Sequence, residues 1–131
     1  MTAPACFRKQ ERIVSQKLIE ELFGGGQSHS MAAFPLRAVY MQKERQDRSE
    51  PVEVLISVPK KRLHHAVDRN RAKRQIREAY RLQKQVLIDN IPEGQAIDIA
   101  FIWQSDRPCA TESISGKVRS LLERIAKRIV V

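Results

Sequence analysis

Between residues 68 and 81 the chain reads DRNRAKRQIREAYR, with five arginines and one lysine in fourteen positions. Guanidinium groups present planar, two-pronged donors that fit phosphate oxygens, and lysine adds a point charge, so the segment is chemically suited to holding a phosphate backbone. The same segment carries Ala72, Ile76, Ala79 and Tyr80 at helical spacing. At ~100° per residue, with Ile76 at zero, Ala72, Ala79, Tyr80 and Leu87 fall within about 60° of it. Asn70, Arg74, Arg77, Arg81 and Lys84 fall between about 80° and 160° on the same wheel. Such a helix buries one stripe and presents a ridge of positive groups beside it. Like charges three and four residues apart cost roughly 0.2–0.5 kcal/mol per pair, and Glu78 is the one acid inside the array. A merely solvated helix interleaves acids there, whereas an anionic partner offsets the repulsion. Asn70 is neutral; its amide donates and accepts, which suits a sugar, a base edge or a local cap equally.

The charge of the whole chain is concentrated around this helix. Residues 60 to 84 hold Lys60, Lys61, Arg62, Arg69, Arg71, Lys73, Arg74, Arg77, Arg81 and Lys84 against Asp68 and Glu78, a local net of +8 in a chain whose total is +9. Charge alone does not separate RNA, DNA and an acidic membrane surface, but an arginine-rich ridge of one sign favours nucleic acid.

The elements that must position the ridge follow from periodicity. A length of 131 residues with 42% hydrophobic content fits one globular domain spanning residues 1–131. Residues 15–23 put Leu18, Ile19, Leu22 and Phe23 on one side of a short helix, capped by Ser15 and ended by the glycines at 24–26. After a polar loop, residues 34–42 read as a strand with Leu36, Ala38 and Tyr40 on one face and Arg37, Val39 and Met41 on the other. Residues 52–58 form a second strand, and Pro59 ends it. The basic helix follows, with Asp68 available as its N-cap and an end near Asp89. Residues 95–103, nearly all apolar apart from Asp98, form a buried strand. A final helix from Thr111 carries a stripe of Ile114, Val118, Leu121, Leu122, Ile125 and Ile129. The order α-β-β-α-β-α predicts an α+β sandwich with helices packed on a small mixed sheet.

At this point the residues resemble a family. The run SVPKKRLHHAVDRNRAKRQIREAYR (57–81) is similar to the signature of the bacterial ribonuclease P protein subunit. There a strand ending in Ser-Val leads through a paired basic dipeptide to Ala-Val, Arg-Asn-Arg, Lys-Arg and Arg-Glu-Ala. The likeness extends more weakly to FRKQERI near the start, Phe23-Gly24, the strand ending in Tyr40, and DIAFIW. The resemblance implies a holoenzyme in which a catalytic RNA performs Mg2+-dependent removal of the 5′ leader of precursor tRNA. The protein binds the leader and supports metal-ion affinity, with no catalytic residue and no metal of its own. Carried over by position, Lys60, Lys61, Arg69, Asn70, Arg71, Lys73, Arg74, Arg77 and Arg81 are the RNA-binding set. The family's leader cleft lies between the first helix and the sheet, which points to Ile19, Phe23, Ala38 and Tyr40. Stacking of an unpaired base on Phe23 or Tyr40 would contribute about 1–3 kcal/mol. The family fold also implies a left-handed crossover through the basic helix, against the general rule.

The remaining chemistry-bearing residues point elsewhere. Cys6 and Cys109 form neither a CxxC nor a disulfide framework and read as free thiols. His64 and His65 are adjacent and cannot share a helix face as a metal pair does. Asp98 lacks a second carboxylate at matching spacing and reads as a strand-end hydrogen-bond acceptor. No segment approaches the ~18 apolar residues of a membrane span, and the first residues lack a signal-peptide run, so a soluble cytoplasmic protein is expected, without membrane or DNA partners. The other function compatible with these residues is a ribosomal or other structural RNA-binding protein, which needs no single-strand cleft. A DNA-binding basic helix is disfavoured because its apolar face must pack on a sheet and no leucine heptads follow. A self-sufficient nuclease lacks a carboxylate cluster.

Overall fold

A computed structural model of the chain describes residues 28–45 and 50–129. The helix expected over residues 15–23, with Ile19 and Phe23, and the thiol of Cys6 lie outside them. The described elements are β1 (His29–Ala33), β2 (Leu36–Glu44), β3 (Val52–Ser57), α1 (Ala66–Gln83), α2 (Gln85–Ile88), β4 (Gln95–Trp103) and α3 (Thr111–Arg128). The four strands form one mixed sheet in the order β1-β2-β4-β3. β2 is antiparallel to both β1 and β4, whereas β3 runs parallel to β4. Parallel neighbours need a crossover, and α1 with α2 supplies it.

The alternation of side chains across the strands puts Leu36, Ala38, Tyr40, Val52, Val54, Ile97, Ile99, Phe101 and Trp103 on one face. That face meets Ala72, Ile76, Ala79 and Tyr80 of α1 and Ile114, Val118, Leu121, Leu122 and Ile125 of α3 in one continuous core. The stripes expected of both long helices are therefore the buried stripes. Gln75, 6% exposed, joins the helices by donating to the Cys109 carbonyl at 2.9 Å and to Thr111 Oγ1 at 3.0 Å. Gln83 does the same further along, reaching the Ser115 carbonyl at 3.0 Å. These bonds fix the rotation of α1 about its own axis, and so the direction in which its ridge points.

Three local features differ from the sequence expectations. Residues 29–33 are not loop but strand: Met31 is buried opposite Ala38, and the pairing with β2 supplies what a short run of small and polar residues does not signal. α1 begins at Ala66, not at Asp68; its N-cap is His65, with no side-chain capping bond. Asp68 falls in the first turn, where a carboxylate is favoured by the helix dipole. The helix expected to reach residue 89 breaks at Lys84 and resumes as α2. The chain then turns into β4 through Gly94, whose φ of +82° is open to glycine at no steric cost.

Candidate nucleic-acid interface

The basic residues do not all point the same way. Arg71 and Arg74 are exposed, with Asn70 beside them, and Lys73 and Arg77 are half-buried along the margin of the helix. Among the described residues no carboxylate pairs with Arg71, Lys73 or Arg74. Arg81 differs: its guanidinium donates to Glu78 Oε2 at 2.7 and 3.2 Å, and that hydrogen bond, with the nearby charges of Arg81 and Arg77, holds the Glu78 carboxyl below its usual range. Lys84 is 7% exposed and does not extend the ridge.

Arg69 is turned inward. Its Nη1 donates to the carbonyls of Leu63 at 2.9 Å and His64 at 2.8 Å, in the segment that leads into α1. The helical wheel carries this signal, because Arg69 lies about 20° from Ile76 and so on the core side of the helix. Before α1, a turn closed by the Arg62 and Leu63 amides on the Pro59 carbonyl presents Lys60 and Lys61, both exposed. Arg62 pairs with Asp106 at 3.2 Å, tying this turn to the loop after β4. His64 and His65 are exposed.

The positions assigned to the leader cleft separate. Ala38 is fully buried and Tyr40 is 4% exposed, on the sheet face covered by α1 and α3, with the Tyr40 ring 5.3 Å from that of His29. The opposite face bears a smaller apolar cluster of Val39, Met41 and Ala100, with Leu55 and Ile102 packed against it, and no described helix belongs to it. Arg37 is exposed on this second face, steered by its Nε donating to Ser30 Oγ at 2.7 Å. Both faces of β2 are apolar, so alternation identified two faces without identifying which one the helices cover.

At the far end of the second face, Asp98 sits in the middle of β4 rather than at a strand end, fully buried and 3.0 Å from Lys43 Nζ. Sequence reasoning missed this pair because Lys43 and Asp98 meet only across the β2–β4 register. Glu53 lies opposite Asp98 in the β3–β4 register. Burial pushes its carboxyl up from the ordinary 4.5; Lys43 pulls it back and Asp98 adds to the rise. A folded-state pKa above the unfolded one means that ionised Glu53 costs stability at neutral pH, a cost relieved as pH falls through the raised value. Glu53→Gln therefore unfolds at higher denaturant than the parent at pH 7. The two curves converge below pH 4.5.

The site thus consists of a cationic ridge on a rotationally fixed helix, an adjoining basic turn, and a second sheet face, without a helix among the described residues, that carries the exposed Arg37. A sequence model of the family Ribonuclease P matches residues 7–126. The ribonuclease P protein component of Porphyromonas gingivalis is 39% identical over 132 residues, covering 98% of this chain and 94% of that protein. The chain belongs to the ribonuclease P protein family. A ribonuclease P protein component from Chlorobium phaeobacteroides is 41% identical over 88 residues, covering 67% of this chain and 60% of that one. Among solved ribonuclease P proteins, a Staphylococcus aureus mutant with defective mRNA degradation activity superposes with a TM-score of 0.66 at 25% identity, covering 91% of this chain and 90% of the other. The Thermotoga maritima protein gives 0.64 at 24% identity over 87% of this chain and 96% of its own, a likeness of fold. The mixed sheet packed against α1 and α3 thus matches the ribonuclease P protein fold.

Proposed function

We propose that this chain is the cytoplasmic protein subunit of a ribonuclease P, binding a catalytic RNA through α1 and the Lys60–Lys61 turn and a single-stranded precursor-tRNA leader through the sheet. The observation that carries this reading is the ridge: Arg71 and Arg74 are exposed, with no carboxylate partner among the described residues, on a helix whose opposite side is locked into the core. Such a ridge neutralises phosphates without folding on binding. For the leader, Ala38 and Tyr40 are spent in the core, so we assign the strand to the second face. Arg37, Ile102 and Leu55 would contact it above a floor of Val39, Met41 and Ala100. Ile19 and Phe23 keep the assignment that the family resemblance gives them.

Hydrolysis belongs to the RNA in this reading. Among the described residues no three His, Cys, Asp or Glu side chains come together as a metal site, and none of the described helices is long and apolar enough to cross a membrane. Mg2+ is assigned to the RNA because the family resemblance implies it, and the protein's contribution is electrostatic: cations beside a polyanion lower the repulsion that otherwise demands more Mg2+. The test is cleavage of precursor tRNA by a cognate catalytic RNA at low Mg2+, with and without the full chain. The expected result is cleavage by the pair and none by the protein alone. Cleavage by nuclease-pretreated protein alone, or no gain on adding it to the RNA, would overturn the proposal.

A further inference from the structure

We propose that Arg69 is a positioning residue that clamps the turn before α1 and so holds Lys60 and Lys61 in register with the exposed ridge of Arg71 and Arg74. The inference rests on the RNA-binding reading above but gives Arg69 a different role from its neighbours. Its Nη1 is shared between two successive carbonyls, Leu63 at 2.9 Å and His64 at 2.8 Å. These carbonyls belong to the segment that joins the Pro59–Arg62 turn to the first residue of α1, and Lys60 and Lys61 are the two central residues of that turn.

Other attachments of this segment leave its orientation open. Leu63 is buried and fixes one point. The Arg62–Asp106 pair is solvent-exposed, at 38% and 73% of the two side chains, and exposed pairs hold geometry weakly. The N-cap His65 makes no side-chain capping bond, so the helix start is not tied down in the usual way. A planar guanidinium bound to two adjacent carbonyls fixes the peptide planes themselves, and its charge strengthens both bonds. Because Arg69 is four residues on from His65, whose carbonyl accepts the Arg69 amide at 3.1 Å, clamp and first helical turn form one unit. Rotation of the Leu63–His64 peptides would swing Lys60 and Lys61 relative to a ridge whose direction Gln75 and Gln83 fix.

Arg69→Lys separates charge from geometry, since an ammonium keeps the charge but not the rigid planar fork. In the free full-length protein, Arg69→Lys should accelerate hydrogen exchange at the Arg62 and Leu63 amides, which close the turn on Pro59, while β4 amides are unchanged. In binding to the cognate ribonuclease P RNA, it should weaken affinity about tenfold and flatten the salt dependence by roughly one to two units, the contribution of two phosphate contacts. Combined with Lys60→Ala and Lys61→Ala, it should cost nothing further. A direct Arg69–phosphate contact predicts the reverse: wild-type salt dependence for Arg69→Lys and additive losses. Either of those results, unaltered exchange at Arg62 and Leu63, or undiminished binding by the Lys60→Ala–Lys61→Ala variant overturns the clamp. Wild-type protein that fails to bind the RNA at all refutes the underlying reading instead, and that control distinguishes the two failures.

Discussion

Raising monovalent salt fourfold should weaken the complex between this chain and a ribonuclease P RNA by at least roughly 60-fold. The estimate follows from Arg71, Lys73, Arg74 and Arg77, each releasing ~0.7–0.9 counterion on neutralising a phosphate, for a log–log slope near −3. Lys60 and Lys61 steepen it further. Arg81 is left out because Glu78 already occupies it in the free protein. Arg74→Ala should flatten the slope by about one unit without unfolding the chain, because the side chain is exposed and away from the core stripe. Binding titrations at several salt concentrations check both values. A slope near zero would mean that the ridge is not a phosphate-binding surface.

Tyr40→Ala should lower stability by about 3–5 kcal/mol, the usual range for truncating a buried aromatic that its surroundings cannot replace. Tyr40 is 4% exposed in the core beneath the helices. Folded Tyr40→Ala protein should nevertheless retain the wild-type ratio of affinities for precursor and mature tRNA in the assembled holoenzyme. Arg37→Ala should behave oppositely, with a small effect on denaturation and a selective loss for precursor, because the exposed guanidinium lies on the second face. Denaturant unfolding and paired binding measurements on the two variants give four numbers. A selective precursor loss in folded Tyr40→Ala would return the leader to the positions implied by the family resemblance.

Much of this molecule was determined by sequence alone, wherever one periodicity has one apolar solution. Ile76 and its companions define a single stripe on α1, and Ile114 to Ile125 a single stripe on α3; a helix with one apolar side has no choice about which side to bury. The ridge followed from the same wheel, as the side left over. β4 was legible because a strand apolar on both faces belongs in the middle of a sheet, which is where it lies. The tertiary structure alone decided three further things. β1 exists because β2 offers a free edge to pair with, a partner that a short run of small and polar residues does not announce. β2 has Leu36, Ala38 and Tyr40 on one face and Val39 and Met41 on the other, so its two faces are near-equivalent until the helices choose one. That choice removed Ala38 and Tyr40 from the surface. The partners of Arg69 are the third: the wheel sets this residue about 20° from Ile76, but only the folded chain brings the Leu63 and His64 carbonyls within its reach, where a charged donor makes a stronger hydrogen bond than a neutral one.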